Sequence, residues 1–133
     1  MDYSQGEFAQ TLDNLTHVYV ETAEEVSRPA IAQDYNRINR YPGEAPHNVH
    51  HGIVVRANNG NQYLLHCHLG QVIVTRNILN NWTKSSDLSV RVKRSIVELL
   101  YKLSGDSKEQ RHECDECTRC IKTSSRIAEM LAH

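Results

Sequence analysis

The chain has 133 residues and a mass of 15.2 kDa, the size of one domain able to bury a real core. Its 15 basic and 16 acidic residues leave a formal charge of -1, so the basic excess of a dedicated nucleic-acid binder is missing and there is no strong nucleic-acid signal. Hydrophobic residues at 39% and charged residues at 23% argue against a disordered chain, and no apolar run approaches the length of a membrane span.

The first twenty residues are polar and acidic, without the basic and apolar regions of a secretory signal, so an intracellular, cytoplasmic setting is expected. Val18, Val20, Ala23 and Val26 fit a short helix that carries Glu21, Glu24 and Glu25; His17–Val20 fits a short strand equally well. Residues 28–49 contain Pro29, Pro42 and Pro46 among asparagines and a glycine, which is loop chemistry. Gly52-Ile53-Val54-Val55 then predicts a strand. Asn58-Asn59-Gly60-Asn61 predicts a hairpin through a type I′ turn, with Tyr63-Leu64-Leu65 as the return strand. Val72-Ile73-Val74 predicts a third strand, and the near-continuous apolar runs predict burial on both faces of this meander. Val92, Ile96, Leu99, Leu100 and Leu103 form one helical stripe, which Ser104-Gly105 is expected to end. Residues 105–116 read as a polar loop. Ile121, Ile127, Ala128 and Leu131 mark a last amphipathic helix. The fold class is therefore α+β, a small antiparallel meander packed against helices.

The residues able to carry chemistry are thiols and imidazoles. Cys67, Cys114, Cys117 and Cys120 are too few and too clustered for a disulfide framework, which points to a reducing setting and to thiols used for catalysis or metal. Cys120 is expected near the start of the last helix, where unpaired N–H groups favour a thiolate, with Arg119 beside it. His50 opens the first strand of the meander and His66 ends the second. The hairpin brings those ends together, so the two rings can serve as base and orienter for a thiol. The bland readings are a small buried cysteine on a helix face and solvated loop histidines at His47, His50 and His51. A second chemistry is metal. His112, Cys114, Cys117 and Cys120 offer zinc-type ligands in one run, and His66-Cys67-His68 could supply a second half. An iron–sulfur cluster would use the same cysteine spacing. Trp82 reads as a core or lid anchor, and Arg91, Lys93 and Arg94 as a solvated basic face.

Pro42-Gly43-Glu44, His50-His51-Gly52-Ile53-Val54-Val55, a turn, Tyr63-Leu64-Leu65-His66 and a late cysteine on a helix resemble, in order and spacing, the lecithin retinol acyltransferase-like family. That family, also called His-box/Asn-Cys, is built on a circularly permuted papain-like fold. The resemblance spans roughly residues 40–131. It implies a permuted papain-like Cys–His domain over 40–133, with 1–39 as an N-terminal extension or lid. It implies His50 as general base, His66 as orienter and Cys120 as nucleophile, with Cys117 and, more weakly, Cys114 as alternates. His51 takes the variable position between His50 and Gly52 and is the alternate base. Arg119 stands where the family has Asn, the aromatic run after the cysteine is missing, and the turn between the histidine strands is longer.

The implied function is a thiol hydrolase or acyltransferase with an acyl-cysteine intermediate, no cofactor, an acyl-ester, amide or phospholipid substrate, and peripheral membrane contact. Two alternatives stay open: a non-catalytic binding protein on the same fold, and a zinc-binding interaction module built on His112, Cys114, Cys117 and Cys120. The oligomeric state is left open.

Overall fold

The computed structural model describes residues 6–29, 49–68, 71–110 and 116–133. Five strands form one antiparallel sheet: β1 (Val20–Pro29), β2 (Val49–Ala57), β3 (Gln62–His68), β4 (Gln71–Thr75) and β5 (Thr83–Leu88), in the order β4-β3-β2-β1-β5. Two helices follow, α1 (Ile96–Gln110) and α2 (Glu116–Ala132). The architecture is α+β.

β2 and β3 form the expected hairpin, and β4 continues the meander. The turn is wider than a two-residue type I′ connection. Asn58 to Gly60 make a three-residue loop, closed by the Gly60 N–H donating to the Ala57 carbonyl at 3.0 Å. Gly60 has φ 84°, the left-handed conformation that ends a three-residue hairpin loop and that glycine adopts without strain.

Three expectations give way. Residues 20–29 are a ten-residue strand, not a helix, and lie between β2 and β5. They belong to the core sheet rather than to a separate extension, which moves the start of the domain well before residue 40. The glutamates do not decide the segment, because β-branched Val20, Thr22 and Val26 suit a pleated surface and Glu21, Glu24 and Glu25 can face solvent from it. Helix α1 runs through Ser104-Gly105 to Gln110. One glycine costs a helix only about 1 kcal/mol, which its neighbours outweigh. Finally, α2 begins by Glu116, so Cys120 lies in its second turn and Cys117 in its first. Of the expected loop at 28–49, Arg28, Pro29 and Val49 are strand residues; the rest lies outside the described residues.

The sheet's two faces differ. One packs on the helices: Ala23, Ile53, Val55, Tyr63, Leu65 and Val74 join Ile96, Leu99 and Leu103 of α1 and Ile127, Met130 and Leu131 of α2 in the main core. The strand residues that alternate with these point the other way. Val26, Val54 and Leu64 form a second, smaller cluster with Ile78 and Trp82. The connection from β4 to β5 explains that cover. It links the two edges of the sheet, so it crosses a face, and it carries Ile78 and Trp82 over the apolar residues beneath.

Candidate functional site

The site is built on the second face, at the end where β2 begins and β3 finishes. The side chains of His50 and Val54 share that face, as do those of Leu64 and His66, because residues two or four apart on a strand point the same way. Gly52 pairs with His66 across the strands. A Cβ at Gly52 would stand 3.1 Å from Leu64 Cδ1 and 3.3 Å from His66 Cβ. The missing side chain lets Leu64 and the base of the His66 side chain pack close over β2. His50 Nε2 lies 3.0 Å from His66 Nδ1, and the residues are 2% and 1% exposed. At that distance one ring donates its N–H and the other accepts; two imidazolium rings would present two donors to each other.

Aromatic and cationic groups surround the pair. The Trp82 ring centroid lies 5.7 Å from both His50 and His66, the latter nearly edge-on. Phe8, from a short 3-10 turn at Gly6–Phe8, lies 5.8 Å from His66. Arg28 of β1 pairs in register with His50, and its guanidinium sits 4.9 Å from the Trp82 ring and 5.9 Å from the Phe8 ring. It is 2% exposed and donates to the Pro29 carbonyl at 3.0 Å. Cation–π stacking on Trp82 and Phe8 and that carbonyl hold a buried charge on the face that carries the histidines. Two polar, ring-shaped bases, one permanent cation and two aromatic walls thus share one buried corner of the sheet.

The other residues singled out in the sequence lie elsewhere. His51 and Cys67 fall on the helix-covered face, alternating with His50 and His66. Extending the Gly52–His66 register by one residue sets His51 opposite Cys67. His51 Nδ1 is 3.9 Å from Glu25 Oε1, an ion-pair distance when the ring is protonated. Cys67 is buried, with Sγ 3.0 Å from Thr123 Oγ1 of α2. The sheet therefore stands between the His50–His66 pair and the packed part of α2. Cys120 precedes Thr123 by one turn of that helix, at the same end of the sheet as His51 and Cys67. The side chains of Cys117 and Cys120 lie outside the described residues, as do His47, His112, Cys114 and the side chain of His68. Among the described residues no group of three or more His, Cys, Asp or Glu side chains is arranged to hold a metal ion, and no helix is long and apolar enough to cross a membrane.

Sequence reasoning missed Arg28, Phe8, Glu25 and Thr123. Arg28 and Glu25 were legible only once β1 was seen as a strand, since alternation from Val26 then sets their faces. Phe8 carried one signal, being the sole phenylalanine of a chain poor in aromatics. Nothing in the sequence marks Thr123. In comparisons with known proteins, no family model, curated protein or solved structure matches the chain.

Proposed function

We propose that the chain is a cysteine-dependent acyl hydrolase or acyltransferase on a permuted papain-like fold, with His50 as its base and His66 as the orienter of that base. One observation carries the reading. Two buried imidazoles stand 3.0 Å apart at the two positions that the family resemblance singles out. In this reaction the base takes the thiol proton, and the thiolate adds to an ester or amide carbonyl. The tetrahedral adduct collapses to a thioester, while the imidazolium gives its proton to the leaving group. Water or an acceptor alcohol or amine, deprotonated by the same base, then releases the acyl group and regenerates the thiol. The thiol comes from the C-terminal cysteines, with Cys120 first and Cys117 and Cys114 as alternates. Since the sheet separates the packed part of α2 from His50, such a thiol has to meet this base around the end of the sheet where β2 begins. The substrate class is an acyl ester or amide, with glycerophospholipid acyl chains as the leading case.

A second assignment of the base has its own support. His51, not His50, shares its face with α2, and Glu25 beside it can orient the ring. A thiol on α2 that stays on that face would use His51 and Glu25 in the same chemistry.

Site-resolved alkylation by iodoacetamide across pH 5 to 9 tests both. Fast labelling of one C-terminal cysteine well below the pH of an ordinary thiol, slowed by His50→Ala and not by His51→Ala, is the expected result. The reverse dependence moves the base to His51. Labelling at an ordinary thiol pH, indifferent to both substitutions, would overturn the catalytic reading in favour of a binding protein. Labelling that rises only after chelation would favour the zinc module.

A further inference from the structure

We propose that the outer edge of β4 and the aromatic box beside it form a docking site for an extended peptide bearing an aromatic side chain, and that residues 6–11 of the chain are its resident occupant. β4 is an edge strand. Every second residue of such a strand turns its N–H and C=O outward, where another chain can pair with them. Val74 is one of these residues. Its carbonyl accepts from the Thr11 N–H at 2.8 Å, and its N–H donates to the Gln10 side-chain carbonyl at 2.9 Å. In a strand-to-strand pairing both bonds would go to main chain. Here a side chain supplies the acceptor, so the occupant imitates one rung of a ladder.

The same segment fills the box. Phe8, three residues before Thr11, puts its ring 5.8 Å from His66 and 5.9 Å from the Arg28 guanidinium. The Asn77 side-chain amide holds the Gly6 carbonyl at 3.2 Å. Directly after the rung, the Leu12 side chain is 99% exposed, and the Asp13 carboxylate accepts from the Tyr63 hydroxyl of β3 at 3.0 Å. A separate peptide that pairs with Val74 offers a main-chain acceptor in place of the Gln10 amide, and an aromatic residue carried on a turn ahead of the rung, as Phe8 is on Gly6–Phe8, offers the same ring. Such a peptide can also continue the pairing to Val72, the next outward-facing residue of β4. The resident segment resists it only because it is tethered, at an effective concentration in the millimolar range. This inference does not depend on the acyl-transfer reading.

The test titrates an acetylated, amidated peptide with the sequence of residues 6–12, and its Phe-to-Ala version, into the full-length chain and into its Phe8→Ala variant. Fluorescence of Trp82, the sole tryptophan, and the amide resonance of Val74 report on the site. The expected result is binding to Phe8→Ala at least about tenfold tighter than to the unmodified chain, a similar loss with the Phe-to-Ala peptide, and a shift of the Val74 amide. Equal affinity for both proteins, no binding to either, or binding that leaves Val74 unmoved would overturn the proposal. If Phe8→Ala fails to fold, Gln10→Ala, which removes the Val74 acceptor and leaves the aromatic box intact, carries the same comparison.

Discussion

Leu64 and Leu65 are consecutive on β3 and both fully buried, yet they serve different halves of the molecule. Leu65 belongs to the large apolar cluster between the sheet and its two helices, at whose margin His51, Cys67 and Thr123 lie. Leu64 belongs to a thin layer of Val26 and Val54 under Ile78 and Trp82, beside two histidines and an arginine. A continuous apolar core holds the fold and offers little chemistry. The thin face keeps polar groups buried at a cost, and such groups persist where their partners are in place. The contrast separates residues that stabilise the sheet from residues that can act from it.

The largest effect should come from breaking the thick side. Leu65→Ala is expected to destabilise the chain by about 4 kcal/mol, because packed helices leave a cavity that cannot collapse. Leu64→Ala is expected to cost less, about 3 kcal/mol, because the crossing connection can settle onto the gap. Chemical denaturation gives both values. The fluorescence of Trp82 should change in the native state of Leu64→Ala and not in that of Leu65→Ala; the same response in both would erase the distinction between the faces.

His66→Ala comes next, at about 2 kcal/mol, since it leaves a His50 nitrogen buried without the ring that faces it. The double variant His50→Ala/His66→Ala should cost less than the two single changes added together, and strict additivity would mean that the pair is not coupled. Gly52→Ala is expected to cost about 1.5 kcal/mol, because its Cβ meets Leu64, the Leu65 carbonyl and His66 at 3.1 to 3.3 Å. Nuclear magnetic resonance of the histidine side chains should show His66 displaced in this variant.

The smallest effect belongs to the exposed stretch Thr83 to Asp87 of β5, which precedes Leu88 at the margin of the main core. Asp87, through its hydrogen bond first and its charge second, raises the pKa of the exposed Lys84 amine above the ordinary lysine value. A raised value means that whatever the pair contributes is complete below the ordinary lysine pKa. It is lost only as pH rises through the raised one. Asp87→Asn should leave the denaturation midpoint at pH 7 unchanged within error, as expected for a solvent-exposed pair.

The comparison also explains what could be read in advance. Ile53 to Val55, Tyr63 to Leu65 and Val72 to Val74 announce their strands because both faces of the sheet are covered there. The hairpin, and with it the meeting of His50 and His66, follows from Asn58 to Asn61. β5 was silent, since Thr83 to Asp87 are polar, exposed and lack apolar alternation. β1 was ambiguous for the same reason along its solvent-facing residues. Its central place between β2 and β5 is a tertiary fact that no local pattern encodes. The face on which α2 settles depends on how the amphipathic helix meets the sheet, so the separation of its packed part from His50 could not be read from spacing. Arg28 remained hidden inside the unrecognised strand, and with it the cation that completes the histidine corner.

The central claim is that a thiol of this chain forms an acyl intermediate with a strand histidine as its base. Its most direct test incubates the protein with an activated acyl ester at neutral pH and maps the adduct by mass spectrometry after an acid quench. The account predicts a thioester on one of Cys114, Cys117 or Cys120 that forms rapidly in the unmodified chain and at least about a hundredfold more slowly in His50→Gln. No thioester, or one whose rate ignores both His50→Gln and His51→Gln, would contradict it.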